Sequence, residues 1–360
     1  MIKIIEMGKF SSDLILWYKE NKRDLPWRRT SEVYRVWVSE IILQQTRVNQ
    51  GINYYLTLTE AFPTVHHLAR ASEDEVLKLW QGLGYYSRAR NMHAAAKYVS
   101  QELNGVFPDT FDGLLKLKGI GPYTAAAISS ICYNQPHTVV DGNVFRVLTR
   151  IYGVETAINT SQGKKQIEEL AQSLNDGKAY GDFNQAIMEF GALHCTPQLP
   201  ACQCCIFSDT CWALQHNKVH LLPVKEKKLQ VKKRYLNFIV LFNKEEQTVI
   251  QRRNHNDIWR GLYQYPLIET TQVISPQNLL NTDELRELTA QQDIHLISEY
   301  SFKHQLTHRR LIINILNIQI PSLAHLTSPQ YQLIKTDQVN KYAFPKPLSR
   351  IFNETPKHRL

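Results

Sequence analysis

Apolar residues recur three and four positions apart over residues 12–21, 34–48, 73–79, 89–103, 110–117, 123–133, 144–152, 164–174 and 183–193. That spacing predicts a mostly helical first part. The pattern then changes. Residues 235–242 and 311–320 are runs rich in Ile, Leu and Val that predict strands, and 283–291 predicts one more helix, so the second part reads as a mixed α and β domain. No internal repeat and no low-complexity tract interrupts either part.

At 360 residues, with 43% hydrophobic and 21% charged content, the chain is long enough for two globular domains. Between the two patterns lies a segment from Asn217 to Arg234 with seven basic residues, one acidic residue and Pro223. It reads as an exposed basic linker. The expected domains are therefore 1–217, a linker at 218–234, and 235–360. No apolar run reaches transmembrane length, so no membrane partner is expected. The formal net charge is +9, yet residues 1–217 balance 21 basic against 21 acidic side chains. The excess sits in the linker and beyond, where it supports DNA binding only weakly.

Four cysteines, Cys195, Cys202, Cys205 and Cys211, follow the spacing C-x6-C-x2-C-x5-C within residues 195–211. Soft thiolates at this density suit a tetrahedral zinc site or an iron–sulfur cluster. Residues 1–10 carry no basic-then-apolar run of the secretory kind, so a reducing compartment is expected and disulfides are not. Cys204 stands beside one of the four, and Cys132 lies in an apolar stretch that reads as a small buried side chain.

Upstream, Leu117-Lys-Gly-Ile-Gly-Pro-Tyr-Thr124 places Gly119 and Gly121 around one apolar residue between two helical segments. The glycines permit a tight turn, Ile120 can plug the helix pair, and the amides entering the next helix can face a phosphate. A plain helix–helix turn is the alternative. Asp141 then stands directly ahead of the helix that carries Val144, Val147 and Leu148, where it serves as an N-cap whose backbone bonds favour the ionised carboxylate. Glu40 falls on the apolar stripe with Val36, Trp37, Ile41 and Leu43. A carboxylate there is either paired, with Arg47 the nearest candidate, or lifted toward neutral pKa by burial. One neutral and one ionised carboxyl supply a proton donor and a cation stabiliser.

The cysteine spacing resembles the iron–sulfur loop of the endonuclease III and MutY DNA glycosylases, and the Gly-Ile-Gly turn resembles their helix-hairpin-helix. The segments Leu25-Pro-Trp-Arg28, Trp37-Val-Ser-Glu-Ile-Ile-Leu-Gln-Gln-Thr-Arg47, Gly82-Leu-Gly-Tyr-Tyr86, Val140-Asp-Gly-Asn-Val144 and Phe183-Asn-Gln-Ala-Ile-Met-Glu189 are similar to the MutY family of adenine glycosylases over residues 10–215. The resemblance implies an all-α helix-hairpin-helix glycosylase domain with a [4Fe-4S] cluster on the four spaced cysteines. A C-terminal α+β nudix-like domain would recognise 8-oxoguanine without pyrophosphatase chemistry.

The resemblance further implies excision of adenine opposite 8-oxoguanine, and less readily opposite G, in double-stranded DNA. Glu40 would protonate adenine N7. Asp141, supported by Asn143, would stabilise the sugar cation, and Tyr123 would shape the site between them. Endonuclease III has a lysine at the Tyr123 position, and a tyrosine cannot form its Schiff base, so base removal without strand cleavage is expected. Gln45 and Tyr85 would enter the helix, Thr46 would lie beside them, and Trp27, Arg28 and Gln185 would form the adenine pocket. Glu189, one helical turn on, is either a further pocket residue or a salt-bridge partner. In the second domain Leu306-Thr-His308 aligns with the family's 8-oxoguanine contact loop, keeping Thr307 and His308 but with Leu306 in place of an aromatic wedge. A monomer in a bacterial cytoplasm, associated with the nucleoid, is the expectation. The alternatives are an endonuclease III-like pyrimidine glycosylase and a non-catalytic iron–sulfur DNA-binding protein.

Overall fold

A computed structural model describes residues 7–226, 232–306 and 309–349. The chain divides into two compact units, Met1–Ala71 with Asn91–Lys228, and Ser72–Arg90 with Leu229–Leu360. Helices are numbered along the chain: α1 (Met7–Asn21), α2 (Val33–Leu43), α3 (Val48–Ala61), α4 (Val65–Arg70), α5 (Glu73–Leu79), α6 (Ser87–Glu102), α7 (Phe111–Leu115), α8 (Pro122–Tyr133), α9 (Gly142–Tyr152), α10 (Ser161–Leu174), α11 (Tyr180–Leu193) and α12 (Trp212–Gln215). Residues 72–90, expected with the helical domain, belong instead to the sheet unit. Within that unit Lys78 and Gln81 bond backbone carbonyls of Asn340 and Phe344, and Arg252 pairs with Glu73 at 2.9 Å.

In the helical unit α11 runs against α1, α8 and α9. Phe10, Leu14 and Trp17 of α1, Val144, Val147, Leu148 and Ile151 of α9, and Phe183, Ile187 and Phe190 of α11 share one buried core. Phe207 and Cys211 of the cysteine loop join it, with Phe207 stacked on Phe10 at 4.8 Å between ring centroids. The loop is thus an integral wall of the core. So is the start of the supposed linker. Leu222 is buried in the same cluster with Val219 and Val224 against it, and Ile158 N–H donates to Val224 O at 3.0 Å. The apolar residues spaced between its lysines anchor that stretch, and its far end, Lys232 to Arg234, is already strand.

The helix expected at 34–48 ends five residues early. The chain turns at Gln44–Arg47, Gln45 takes a left-handed φ of 56°, and α3 begins at Val48. Cys132, expected to be buried, is half-buried on α8.

In the hairpin between α7 and α8, Gly119 has φ +85°, and a Cβ there would lie 2.7 Å from Asn91 Cβ, so only glycine fits. Gly121 differs. Its φ of −96° suits any residue, and a Cβ would meet nothing within 4 Å, so its bare face borders open space at the start of α8. Ile120 is buried between the helices, as a plug should be.

The sheet unit contains strands β1 (Lys232–Phe242), β2 (Gln247–Arg252), β3 (Tyr263–Gln264), β4 (Leu267–Thr270), β5 (His295–Gln305), β6 (Arg309–Gln319) and β7 (Tyr331–Lys335). The order is β3-β2-β1-β6-β5, with β4 pairing β1 and β7 pairing β2. β1 and β6 run parallel at the centre, from Lys232 opposite Arg309 to Phe242 opposite Gln319. One face buries Leu236, Phe238, Ile313 and Ile315, the other Ile239, Leu241, Leu316 and Ile318. Burial on both faces is why these two strands read as continuous apolar runs. The sheet unit also carries helices α13 (Pro276–Leu280), α14 (Asp283–Leu288) and α15 (Lys346–Ser349).

Asn184 of α11 is fully buried. It accepts from Val139 N–H at 3.0 Å and donates to Ser130 Oγ and His137 O at 2.8 Å, tying the segment that leads into Asp141 to α8 and α11. Asn184→Ala leaves that amide and that carbonyl buried without partners, at about 3 kcal/mol. Thermal unfolding should show the helical unit melting roughly 6–12 °C lower.

Candidate active site

A cavity of about 600 Å³ opens in the helical unit, and Trp27, Arg28, Glu40, Thr46, Tyr123, Asp141, Asn143 and Gln185 all line it. They arrive from a 3-10 turn (Pro26–Arg28), α2, the α2–α3 turn, the head of α8, the head of α9, and α11.

Glu40 stands where the apolar stripe of α2 meets the cavity. Part of its surface faces the cavity space, yet protein encloses it on every other side. Among the described residues no ion pair forms to it, so the pairing with Arg47 is absent. Burial, and then the Asp141 carboxylate, push its carboxyl up to about 7, with Arg28 opposing.

Asp141 caps α9. Its Oδ1 accepts from the Asn143 and Val144 amides at 2.8 Å, and its Oδ2 from Asn143 Nδ2 at 2.8 Å. Burial still lifts this carboxyl above its ordinary value, opposed by those bonds and by Arg146, and the rise is smaller than at Glu40. The two environments push the pair apart in the direction an acid and an anion require. Tyr123 lies in reach of both charges. Burial and the two carboxylates hold its phenol protonated, and it donates to Met188 Sδ at 3.2 Å.

Arg28 does not face the cavity as a free cation. It clasps Glu189 with bonds of 2.8 and 2.9 Å, and Arg23 adds side-chain bonds of 2.8 and 2.6 Å to the same carboxylate, itself only 1% exposed. Burial alone would raise the Glu189 carboxyl, but the two guanidiniums hold it down at about 2. Of the two readings open for Glu189, the structure shows the ion pair, at the edge of the same cavity. Arg23, Met188 and the α9 arginines are members of the site that the sequence reading missed. Arg146 and Arg150 carried a usable signal, being charges one turn apart in an otherwise apolar helix.

Arg146 Nη2 donates to Asn143 Oδ1 at 2.8 Å and to Gly191 O at 2.7 Å, while its Nε donates to Cys195 O at 2.7 Å. Arg150 Nη1 donates to Thr196 O at 2.7 Å and reaches Cys195 Sγ at 3.5 Å. One helix thus holds both the capped aspartate and the cysteine loop. Cys195, Cys202, Cys205 and Cys211 line a single small pocket, of about 20 Å³, together with Arg150, Phe190 and His194. The Phe207 amide aims at Cys205 Sγ at 3.4 Å, and burial raises the Cys205 thiol to about 12. Among the described residues no group of three or more His, Cys, Asp or Glu side chains is arranged to hold a metal ion as it stands. The donor set nevertheless fits a thiolate-bound group, with four sulfurs around one space and N–H donors turned toward two of them. Cys204, by contrast, is exposed.

Other expected site residues lie outside the cavity. Gln45 is exposed at the α2–α3 turn with its left-handed backbone, and Gly119 and Gly121 form the hairpin. In the other unit Tyr85 is 46% exposed with φ 49°, on a loop whose carbonyls at Leu83 and Gly84 accept from Arg88. There too β5 and β6 close at Leu306 and Arg309, where Leu306 N–H donates to Arg309 O at 2.8 Å. Thr307 and His308 lie outside the described residues.

Residues 38–174 match the HhH-GPD superfamily of base excision DNA repair proteins, and residues 237–354 match a NUDIX domain. An adenine DNA glycosylase of Buchnera aphidicola subsp. Baizongia pistaciae is 31% identical over 350 residues, covering 97% of each chain. The human adenine DNA glycosylase is 46% identical over 221 residues, which are 59% of this chain and 40% of that protein. This chain therefore spans well under half of the human relative. A thermostable thymine-DNA glycosylase structure superposes with a TM-score of 0.54 at 27% identity, covering 58% of this chain and 97% of that one. An endonuclease III trapped on DNA shares the helical fold, with a TM-score of 0.52 at 20% identity over 60% of this chain and 99% of that one.

Glu40→Gln should change stability in a pH-dependent way. Below about pH 4.5 the glutamate is protonated both folded and unfolded, and the variant gains nothing. Between there and about 7 only the unfolded chain ionises, so the wild type loses stability as pH rises. Melting curves from pH 4 to 8 should therefore show Glu40→Gln drawing ahead, by on the order of 2 kcal/mol above pH 7 once the side of Glu40 open to the cavity is allowed for. Curves that stay parallel would contradict the raised carboxyl.

Proposed function

The chain belongs to the adenine DNA glycosylase family, and on that premise we propose that it removes adenine from adenine:8-oxoguanine pairs in double-stranded DNA, and more slowly from adenine:G, in base excision repair. The observation that carries the reading is the pair Glu40 and Asp141 on one cavity, the first poised near neutrality and the second capped by α9.

A glycosidic bond inside a duplex is reachable only if its nucleotide leaves the stack. The adenine would then enter beside Trp27, whose ring is fixed edge-on to Tyr55 at 5.3 Å, with the Gln185 amide as its polar contact. Protonated Glu40 gives its proton to N7, which neutralises the electron pair that N9 takes as the C1′–N9 bond breaks. The sugar cation left behind faces ionised Asp141, held in place by Asn143. Water adds to C1′ and loses its proton, and an abasic site remains. A general acid of this kind contributes about 10²–10⁴-fold. No lysine lines the cavity among the described residues, and Tyr123 cannot form a Schiff base, so the strand stays intact.

Cys195, Cys202, Cys205 and Cys211 would hold a [4Fe-4S] cluster, which when bound cross-links the loop to the core that α9 and α11 share. Gln45 and Tyr85, each raised on a left-handed backbone, would fill the gap in the helix. The sheet unit, with Thr307 and His308, would read the 8-oxoguanine. The amides at the head of α8, beside the bare face of Gly121, would hold a DNA phosphate. We assign the glycosylase domain to the helical unit, whose core takes in the chain through Val224, and the second domain to the sheet unit, which includes residues 72–90. A soluble monomer acting at the bacterial nucleoid is the simplest assembly.

Single-turnover excision from duplexes carrying A opposite 8-oxoguanine, A opposite G, or thymine glycol, developed with and without alkali, tests the reading. Strand breaks that need alkali, fastest from the 8-oxoguanine duplex, are expected. Glu40→Gln and Asp141→Asn should each slow them by about 10³-fold. Thymine-glycol cleavage without alkali, or tight binding with no excision on any duplex, would overturn it.

A further inference from the structure

Tyr18 of α1 takes no part in the chemistry above, yet it is bonded to a residue that does. It is 3% exposed, and its hydroxyl donates to Gln185 Oε1 at 3.2 Å. Its ring is gripped from outside, with the Arg28 guanidinium 5.5 Å and the Lys22 ammonium 5.3 Å from the centroid. Arg28 is in turn locked onto Glu189, one turn beyond Gln185 on α11. Burial keeps the phenol protonated, its pKa pushed up to about 12 against the pull of Arg28.

A side-chain amide turned by 180° swaps its oxygen for its nitrogen and changes nothing else in shape. Only a fixed partner decides which atom stands where. For Gln185 that partner is Tyr18, the sole hydrogen-bond partner of its side chain among the described residues. The bond has a preferred sense. If the phenol accepted from Nε2 instead, its own proton would be buried with nothing to bond.

We propose that Tyr18 is a positioning residue that sets the amide of Gln185 and so contributes to the choice of a 6-aminopurine as the base removed. Adenine presents a 6-amino donor next to the N1 acceptor, on the edge away from the N7 that Glu40 protonates, and an amide with its oxygen and nitrogen fixed in order complements that pair. The second lone pair of Oε1 stays available to the base. Hypoxanthine carries a carbonyl in place of the amino group, so the fixed amide sets oxygen against oxygen. An amide freed to turn over relieves that clash. The inference rests on the reading of Gln185 as a contact to the base.

The test uses the full chain with its metal content matched, as wild type, Tyr18→Phe, Gln185→Ala and the double variant. Single-turnover excision rates are compared for adenine and for hypoxanthine, each opposite 8-oxoguanine. Tyr18→Phe should lower the adenine-to-hypoxanthine rate ratio by about fivefold, the worth of one neutral hydrogen bond. In the Gln185→Ala background the same change should leave the ratio untouched. An unaltered ratio in Tyr18→Phe, with Gln185→Ala altering it, would overturn the role of Tyr18 and leave that of Gln185 standing. An equal drop in both backgrounds would overturn it too, showing a general structural effect. A wild-type ratio in Gln185→Ala would remove the Gln185 reading and this inference with it.

Discussion

Two largely desolvated carboxyl groups that face one cavity cannot both ionise without cost, and the active site is organised around that constraint. Asp141 meets it with bonds from two backbone amides and one side-chain amide at the head of α9. Glu40 receives no such support. Enclosed by α2 and facing the charge of Asp141, it keeps its proton to about pH 7. Arg28, the cation that opposes this rise, would undo it if left free, but Glu189 takes up Arg28 and Arg23 adds a second clasp. The apolar stripe of α2, the cap of α9 and the ion cluster under α11 are therefore parts of one electrostatic arrangement.

Helix α9 gives that arrangement its mechanical footing. Its first turn caps onto Asp141, its second places Arg146 on Asn143 and on the carbonyl of Cys195, and its third places Arg150 on the cysteine loop. Phe207 and Cys211 of that loop lie in the same core as Phe10 and Phe190. A group bound by the four cysteines would stiffen the support of the active site without touching the base.

Much of this was legible in the sequence because it rests on local rules. The cap at Asp141 follows from an aspartate set before an apolar-periodic helix, and the shared cysteine pocket from ligand spacing. Central strands β1 and β6 announced themselves because both of their faces are buried. What escaped depends on partners remote in sequence or on backbone choices without a residue signature. The break at Gln44–Arg47 contains neither glycine nor proline, so helical periodicity ran through it, and the left-handed backbone of Gln45 is visible only in three dimensions. The clasp of Arg23 on Glu189 spans 166 residues. Strand β5 alternates half-buried and exposed positions from His295 to Gln305 and so carried little apolar signal. The basic segment after Asn217 looked exposed because charge dominates its composition, although Leu222 anchors it in the core.

Burial and the neighbouring Asp141 hold the Glu40 carboxyl near neutrality. Carbon-13 NMR of protein labelled at the glutamate side-chain carboxyl, with Glu40 assigned through Glu40→Gln, measures this directly. A midpoint close to pH 7 that moves lower in Asp141→Asn is expected. A midpoint near the ordinary glutamate value in both proteins would contradict it.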